Sequence, residues 1–359
     1  MGKKPANTGL KFVLGFFVYG FTTCIILVAL SFWWASGEFK SPGPLVENRL
    51  ITIERGSGLN NIAAMLEQDG IIKSRYIFIF AARVMGAQSA LKAGEYELQA
   101  RMSARDIMDI LREGKTFGRR FTIREGLTSF EIVRHIKGVE NLSGDVKIIP
   151  AEGTLLPNTY DYQLGERRDA VLARLEQEME SAVLGVCLIL LEKVAGTTFK
   201  DMLDMECSPA PSPLKTIRDV LTLASIVEKE TAVAHERRKV AGVFINRLRK
   251  GMPLQTDPTV IYAITKGKHK NDGKGPLGRR LLRKDLQIDS PYNTYKYGGL
   301  PPGPIANPGK ASIEAVLSPE KHDYIFFVAD GTGGHAFART LKEHNANVAK
   351  WRKIRRQKK

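Results

Sequence analysis

Residues Ala224–Thr259 read ASIVEKETAVAHERRKVAGVFINRLRKGMPLQTDPT. The stretch opens inside an apolar helical pattern, Ile217, Val220, Leu221, Ala224 and Val227, that closes on two acids, Glu228 and Glu230. A second helix with a basic face follows over His235–Lys250, then the polar run Gln255-Thr256-Asp257-Pro258, which reads as closed by a turn. Two residues apart on a helix, the glutamates project about 200° from one another, so they cannot face one substrate as a pair. A carboxyl held against apolar surface resists ionising and can donate a proton near neutral pH. Glu230 has Leu223, Ile226 and Val227 beneath it, and Glu228 has Leu221, Ala224 and Ser225. The larger neighbours lean towards Glu230, but periodicity alone does not choose. It equally allows both to be surface acids that end a helix and pair with Arg237 or Arg238.

On the C-terminal side, Ser290–Gly309 is rich in Pro, Gly, Asn and Tyr, as in a shaped, ordered loop. Tyr324–Ala329 predicts a strand, Gly331–Gly334 a turn and Ala338–Trp351 a final helix. Asp272–Lys274 reads as a loop. On the N-terminal side, Ser208–Pro213 is a break, Ala182–Ala195 a buried apolar helix too short to span a membrane, and Asp169–Val183 a charged helix. Glu152–Tyr160 reads as a loop. A quasi-repeat precedes it: Ile51–Gly56 (ITIERG) returns as Phe121–Gly126 (FTIREG). Each is a short strand and a Gly turn before a helix, Leu59–Gln68 and Ser129–Lys137. Thr128 with Glu131, and Ser103 with Asp106, have capping-box spacing. Ser74–Met85 and Ser103–Arg112 predict helices, and Gly94–Gln99 a strand. This strand–helix–helix–strand unit suits polymer or partner binding, or a spacer that sets the height of an active domain above a membrane.

Phe12–Ala35 is apolar and uncharged, long enough for a bilayer core. Lys3, Lys4 and Lys11 before it favour an inside N-terminus, and Trp33 and Trp34 suit the outer interface. A cleaved signal peptide is the rival, but the run exceeds an ordinary signal core, so an uncleaved anchor is expected. The 359 residues, 43% hydrophobic, suffice for two or three domains, and the net charge of +16 favours an anionic partner. The tail Lys350–Lys359 (KWRKIRRQKK) concentrates that charge. Of three cysteines, Cys24 lies in the anchor, while Cys187 and Cys207 fit a disulfide or two free thiols alike. Cys/His spacing for zinc, phosphate-loop, nucleophile-elbow and dinucleotide patterns are missing, so no metal or cofactor is expected. His335, after a Gly-rich turn, and His344 read as structural. No RNA-binding or zinc pattern accompanies the basic charge, so nucleic acid is not an expected partner.

Together EGTLLPNTY, ASIVEKETA, VFINRL, GMPLQTDPTVIY, SPYNTY, GLPPGPIANPG and YIFFVADGTGGHAF resemble the endolytic murein transglycosylases, the YceG-like family. The resemblance runs from the anchor to about residue 350, loosest in the N-terminal part. Leu156 and Asn158 stand where an aromatic and an aspartate are common in the family. It implies an α+β fold: a cytoplasmic N-terminus over 1–11, a transmembrane anchor over 12–35 and a linker over 36–47. A small LysM-like module over 48–118, a catalytic domain over 119–350 and a basic tail over 351–359 complete it. It implies a single-pass inner-membrane protein with its catalytic domain outside the cytoplasm. The implied reaction is cleavage of the MurNAc–GlcNAc β-1,4 bond of nascent glycan strands to 1,6-anhydro ends, which would terminate elongation. Glu230, the second glutamate of the EKE motif, is the implied acid. Gln255, Thr256, Asp257, Asn293, Thr294 and Tyr295 are candidate sugar-binding residues, with Glu228, Asn246 and Glu152 in support. Peptidoglycan strands, membrane lipid and penicillin-binding synthases are the implied partners. A wall-binding scaffold without activity is the alternative, and the intact EKET segment opposes it.

Overall fold

A computed structural model describes residues 8–187, 196–268 and 276–357, with side chains from residue 16. It is a mixed α+β chain in two compact units, Met1–Arg119 and Arg120–Lys359. In the first, α1 (Thr8–Lys40) contains a segment, Phe16–Lys40, long and apolar enough to cross a membrane, with none of its tested window buried. Two strands, β1 (Arg49–Ile53) and β2 (Gly94–Leu98), pair antiparallel, Arg49 opposite Leu98 and Ile53 opposite Gly94. Between them lie α2 (Leu59–Gln68) and α3 (Arg75–Val84), and α4 (Ala104–Glu113) follows. Alternation along the strands buries Ile51, Ile53, Tyr96 and Leu98 in one core with Leu66, Phe78, Met108, Leu111 and Phe39 of the helices. Ser74 caps α3, and Ser103 closes a reciprocal capping box with Asp106 on α4.

The second unit has two cores. Strands β3 (Arg119–Thr122) and β4 (Thr159–Tyr162) pair, and Phe121 and Tyr160 pack with α5 (Ser129–Gly138) and α6 (Arg168–Val186) through Ile132, Ile136 and Leu175. A short α7 (Phe199–Met202) leads to α8 (Ile217–Glu230), whose first turn is closed by Thr216 and Asp219 as a capping box. Then come a 3-10 turn at Ala234–Glu236, α9 (Arg237–Arg249) and α10 (Asp257–Thr265). After a long loop follow α11 (Lys310–Leu317), the antiparallel hairpin of β5 (Phe326–Ala329) and β6 (His335–Ala338), and α12 (Leu341–Gln357). Every residue of α8 from Val220 to Val227 is buried, so α8 is the axis of the second core, against Phe244 and Ile245 of α9 and Ile313 and Val316 of α11. A helix buried on all sides carries no single apolar stripe, which is why periodicity could not choose between its two terminal acids.

Several expectations change. The run at Gln255–Pro258 is not closed by a turn: Asp257 and Pro258 begin α10, where proline's fixed φ suits the first helical positions. The helix that carries the apolar pattern starts at Ile217, because Thr216 caps it. The last two residues of the loop expected over Glu152–Tyr160 are strand β4. Ala338 belongs to β6, and the final helix starts at Leu341. Of the helix expected over Ala182–Ala195, the part to Val186 ends α6; residues 188–195 and the loop expected at Asp272–Lys274 lie outside the described residues. Cys187 and Cys207 are bonded as a disulfide, and Cys24 is free.

Candidate active site

A cavity of about 640 Å³ opens where the end of α8 meets α9, the start of α10 and the β5–β6 hairpin. Glu230 lines it. Its side chain faces the cavity, yet enough protein surrounds the carboxyl to push its pKa up to about 7, through burial first and the negative charge of Asp257 second. Thr256 and the Arg247 guanidinium pull the other way. A carboxyl so placed is part protonated at neutral pH and can act as acid and, after donating, as base.

Gln255, Thr256, Asp257 and Tyr295 line the same cavity. Gln255 holds φ at +51°, the left-handed region that a non-glycine residue seldom adopts, and its N–H donates to the Thr294 carbonyl at 3.1 Å. Thr256 is buried, and its Oγ1 has no hydrogen-bond partner of ordinary geometry among the described residues, although it lies near enough to Glu230 to bias that carboxyl. The Tyr295 hydroxyl donates to Asp257 at 2.7 Å. Its own pKa is raised by burial first and then by that bond.

Asn293 and Thr294 are not brought to the cavity. Both are buried and consumed by their own loop. Asn293 Nδ2 donates to the carbonyls of Leu286 and Ile288 at 2.9 Å each, and its Oδ1 accepts from Tyr295 N–H at 3.0 Å. Thr294 Oγ1 accepts from Thr256 N–H at 3.1 Å and pairs with the Thr259 hydroxyl at 2.8 Å. Asn293 braces the loop that carries Tyr295, and Thr294 pins that loop to the start of α10.

The supporting residues disperse. Glu228 points away from the cavity, accepting from Gly309 N–H at 3.1 Å and Ser312 Oγ at 2.7 Å, with Arg237 at 3.6 Å. Arg237 also pairs with Glu125, whose pKa is raised by burial and by Glu228. Asn246 Nδ2 donates to the carbonyls of His322 and Tyr324, holding the approach to β5. Glu152 Oε2 accepts from Ser129 N–H at the start of α5, at 2.9 Å, and from Asn307 Nδ2 at 3.4 Å. Burial pushes Glu152 up to about 7 as well.

Sequence reading missed the opposite wall. Arg247 of α9 lines the cavity, its charge group donating to the carbonyls of Ile325 at 2.6 Å and Leu254 at 2.7 Å. It ties the hairpin to the α9–α10 turn, and burial lowers its pKa. Phe326, His335 and His344 also line the cavity. His344 stacks on Phe326 with ring centroids 5.1 Å apart, and its Nδ1 is buried with no partner among the described residues. Burial, then the charge of Arg247, lowers its pKa. His335 is held by Glu236 at 2.7 Å. The only signal in the sequence was the unusual arginine inside the apolar run VFINRL.

This arrangement is a cleft on a helical core, lined by one desolvated carboxyl, Glu230, and by the more exposed Asp257. The chain belongs to the YceG-like family, which matches residues 51–350. It is 35% identical over 315 residues to the endolytic murein transglycosylase of Bacillus subtilis (strain 168), covering 84% of each chain. It is 33% identical over 330 residues to the endolytic murein transglycosylase of Streptococcus pneumoniae serotype 2, covering 83% of this chain and 57% of that one. The crystal structure of a yceG-like protein from Listeria monocytogenes is 32% identical, with a TM-score of 0.47 over 84% of this chain and 98% of that chain.

Proposed function

We propose that this chain is a membrane-anchored endolytic lytic transglycosylase that cuts the MurNAc–GlcNAc β-1,4 bond of nascent peptidoglycan strands. The observation that carries the reading is Glu230: a carboxyl on an open cleft with its pKa pushed up to about 7, beside the buried Thr256 hydroxyl and the charge of Asp257. Protonated Glu230 donates to the glycosidic oxygen as the C1–O bond breaks. The carboxylate it leaves takes the proton of the muramyl 6-hydroxyl, whose oxygen bonds to C1 and closes the 1,6-anhydro ring. No water is consumed, and the acid ends protonated as it began. One group thus serves as acid and base, unlike the paired carboxylates of most glycoside hydrolases. Asp257 stands where its charge favours positive charge developing at C1, and Tyr295 holds it there. Gln255, exposed on the cleft, offers polar groups to the sugar, while the buried Thr256 hydroxyl acts on Glu230.

Segment 12–35 is the anchor, with the N-terminus inside and the cleft outside the cytoplasm. Residues 48–118 form a LysM-like module, a reading supported by the order β1-α2-α3-β2 with its antiparallel strand pair. Strand termination near the membrane, and partners among penicillin-binding synthases, follow from the family resemblance. Asp257 favours one second reading, hydrolysis with Asp257 as the other carboxylate. Mass spectrometry of products from intact glycan strands separates the two: anhydro ends carry the proposal and reducing ends overturn it. Release of anhydro products by the Glu230→Gln protein would remove Glu230 from its role.

A further inference from the structure

The first unit exposes an apolar surface that its own core does not explain. On α3, Ile77, Phe78 and Ala81 face inward, but Tyr76, Phe80 and Val84, four residues apart, are 68%, 51% and 62% exposed. Met85 extends the same face. A contiguous apolar patch on an exposed helix marks a binding surface. Here the patch does not stop at α3. The Phe80 ring meets Phe32 of α1 edge-to-face at 6.3 Å, and a cavity of about 230 Å³ runs between the two helices. Phe39, buried in the core of the unit, and the Lys73–Glu38 ion pair at 2.8 Å lock the end of α1 to the start of α3. The face is therefore carried at a fixed height on α1.

That height is set by elementary dimensions. About twenty residues at about 1.5 Å each fill a hydrocarbon core of about 30 Å. Counted from Lys11, the core ends near Phe32, and Trp33 and Trp34 stand at the interface where such rings prefer to lie. The Phe32–Phe80 contact thus falls at the boundary between acyl chains and headgroups. Basic groups ring the apolar face: Lys40 and Arg105 at the cavity, Arg83 exposed beside Val84, and Arg75 over the Tyr76 ring at 4.9 Å. An apolar helical face edged by cations is the pattern of an interfacial helix on anionic lipid.

We infer that α3 lies in the outer headgroup–acyl boundary and that the groove between α1 and α3 takes an acyl chain of an anionic phospholipid. The inference rests on the reading of α1 as a membrane anchor. Tyr76, Phe80, Val84 and Met85 enter the acyl region, while the four basic groups reach headgroup phosphates. The module is thereby held flat on the bilayer by two helices rather than swinging from one.

The test uses the full chain in proteoliposomes of phosphatidylglycerol and phosphatidylethanolamine, with photoreactive benzoylphenylalanine at position 80 or, as control, at exposed position 97 of β2. Phospholipid adducts at 80 and none at 97 are the expected result. An adduct at 80 to a second copy of the chain, or no adduct while the chain resists carbonate extraction, overturns the inference and leaves the anchor standing. Release of the chain by carbonate overturns both. Phe80→Trp in a chain carrying Trp33→Phe, Trp34→Phe and Trp351→Phe provides a milder probe, with quenching by brominated acyl chains expected and its absence overturning the inference.

Discussion

Glu230 and Glu152 are alike in one respect and opposite in the rest. Burial pushes both up to about 7. Glu230 lines an open cavity, with the Thr256 hydroxyl beside it and the charge of Asp257 raising it further. Glu152 is held by Ser129 N–H and Asn307 Nδ2, bonds that join the start of α5 to the loop before α11. A raised pKa marks a desolvated carboxyl, not a catalytic one. What separates the two is whether the carboxyl is enclosed by the elements it joins or lines an open cavity.

The sharpest test of that contrast is Glu230→Gln. Loss of the acid–base group is expected to slow strand cleavage by about 10²–10⁴-fold, read as anhydro-muropeptide release, with the thermal transition retained. Glu152→Gln is expected to keep cleavage near the parent rate; equal loss in both variants would break the comparison. Next in size is Arg247→Met, which strips hydrogen bonds from the Ile325 and Leu254 carbonyls. It is expected to cost roughly 2–4 kcal/mol in denaturant unfolding, as buried acceptors lose their donors.

The pH dependence follows from the two shifts. The unfolded carboxyls ionise near the ordinary 4.5, the folded ones only near 7. Between these values the folded state holds more protons, so stability falls as pH rises, and the full cost stands above about 7. Either Glu→Gln variant should flatten that slope in unfolding curves taken from pH 4 to 8. Cleavage needs the protonated acid, so its rate falls as pH rises through about 7. The smallest effect belongs to Asp257→Asn: removing a charge that raises Glu230 moves this alkaline limb to lower pH, by less than about one unit for a partly screened neighbour. A limb that stays in place would show that Asp257 does not act on Glu230 by charge.

Much of the fold was legible because it is local. Capping boxes at Ser103, Thr128 and Thr216 come from side chains reaching backbone groups three residues on, a distance that sequence spacing encodes. Helix Leu59–Gln68 and the Glu228–Glu230 divergence follow from helical pitch in the same way. Thr216 itself went unread as a cap, as did proline's role in starting α10. The site was legible in half. Gln255, Thr256, Asp257 and Tyr295 share the cavity with Glu230, but Asn293 and Thr294, equally polar and adjacent in sequence, spend their hydrogen bonds on bracing their own loop and tying it to the start of α10. The opposite wall, Arg247, Phe326 and His344, carried no signal beyond the arginine in VFINRL, because no spacing rule links α9 to a hairpin some eighty residues on.

The sequence by itself determined helices such as α2, α4 and α5, the long apolar α1 and the fact that two neighbouring acids could not act as a facing pair. Tertiary structure alone decided which acid meets open space. The middle of α8, from Val220 to Val227, is buried on every side, so its own pattern has no preferred face. The choice falls to the elements packed at its end: α11 and Arg237 take Glu228, while α9, α10 and the hairpin leave a cavity in front of Glu230.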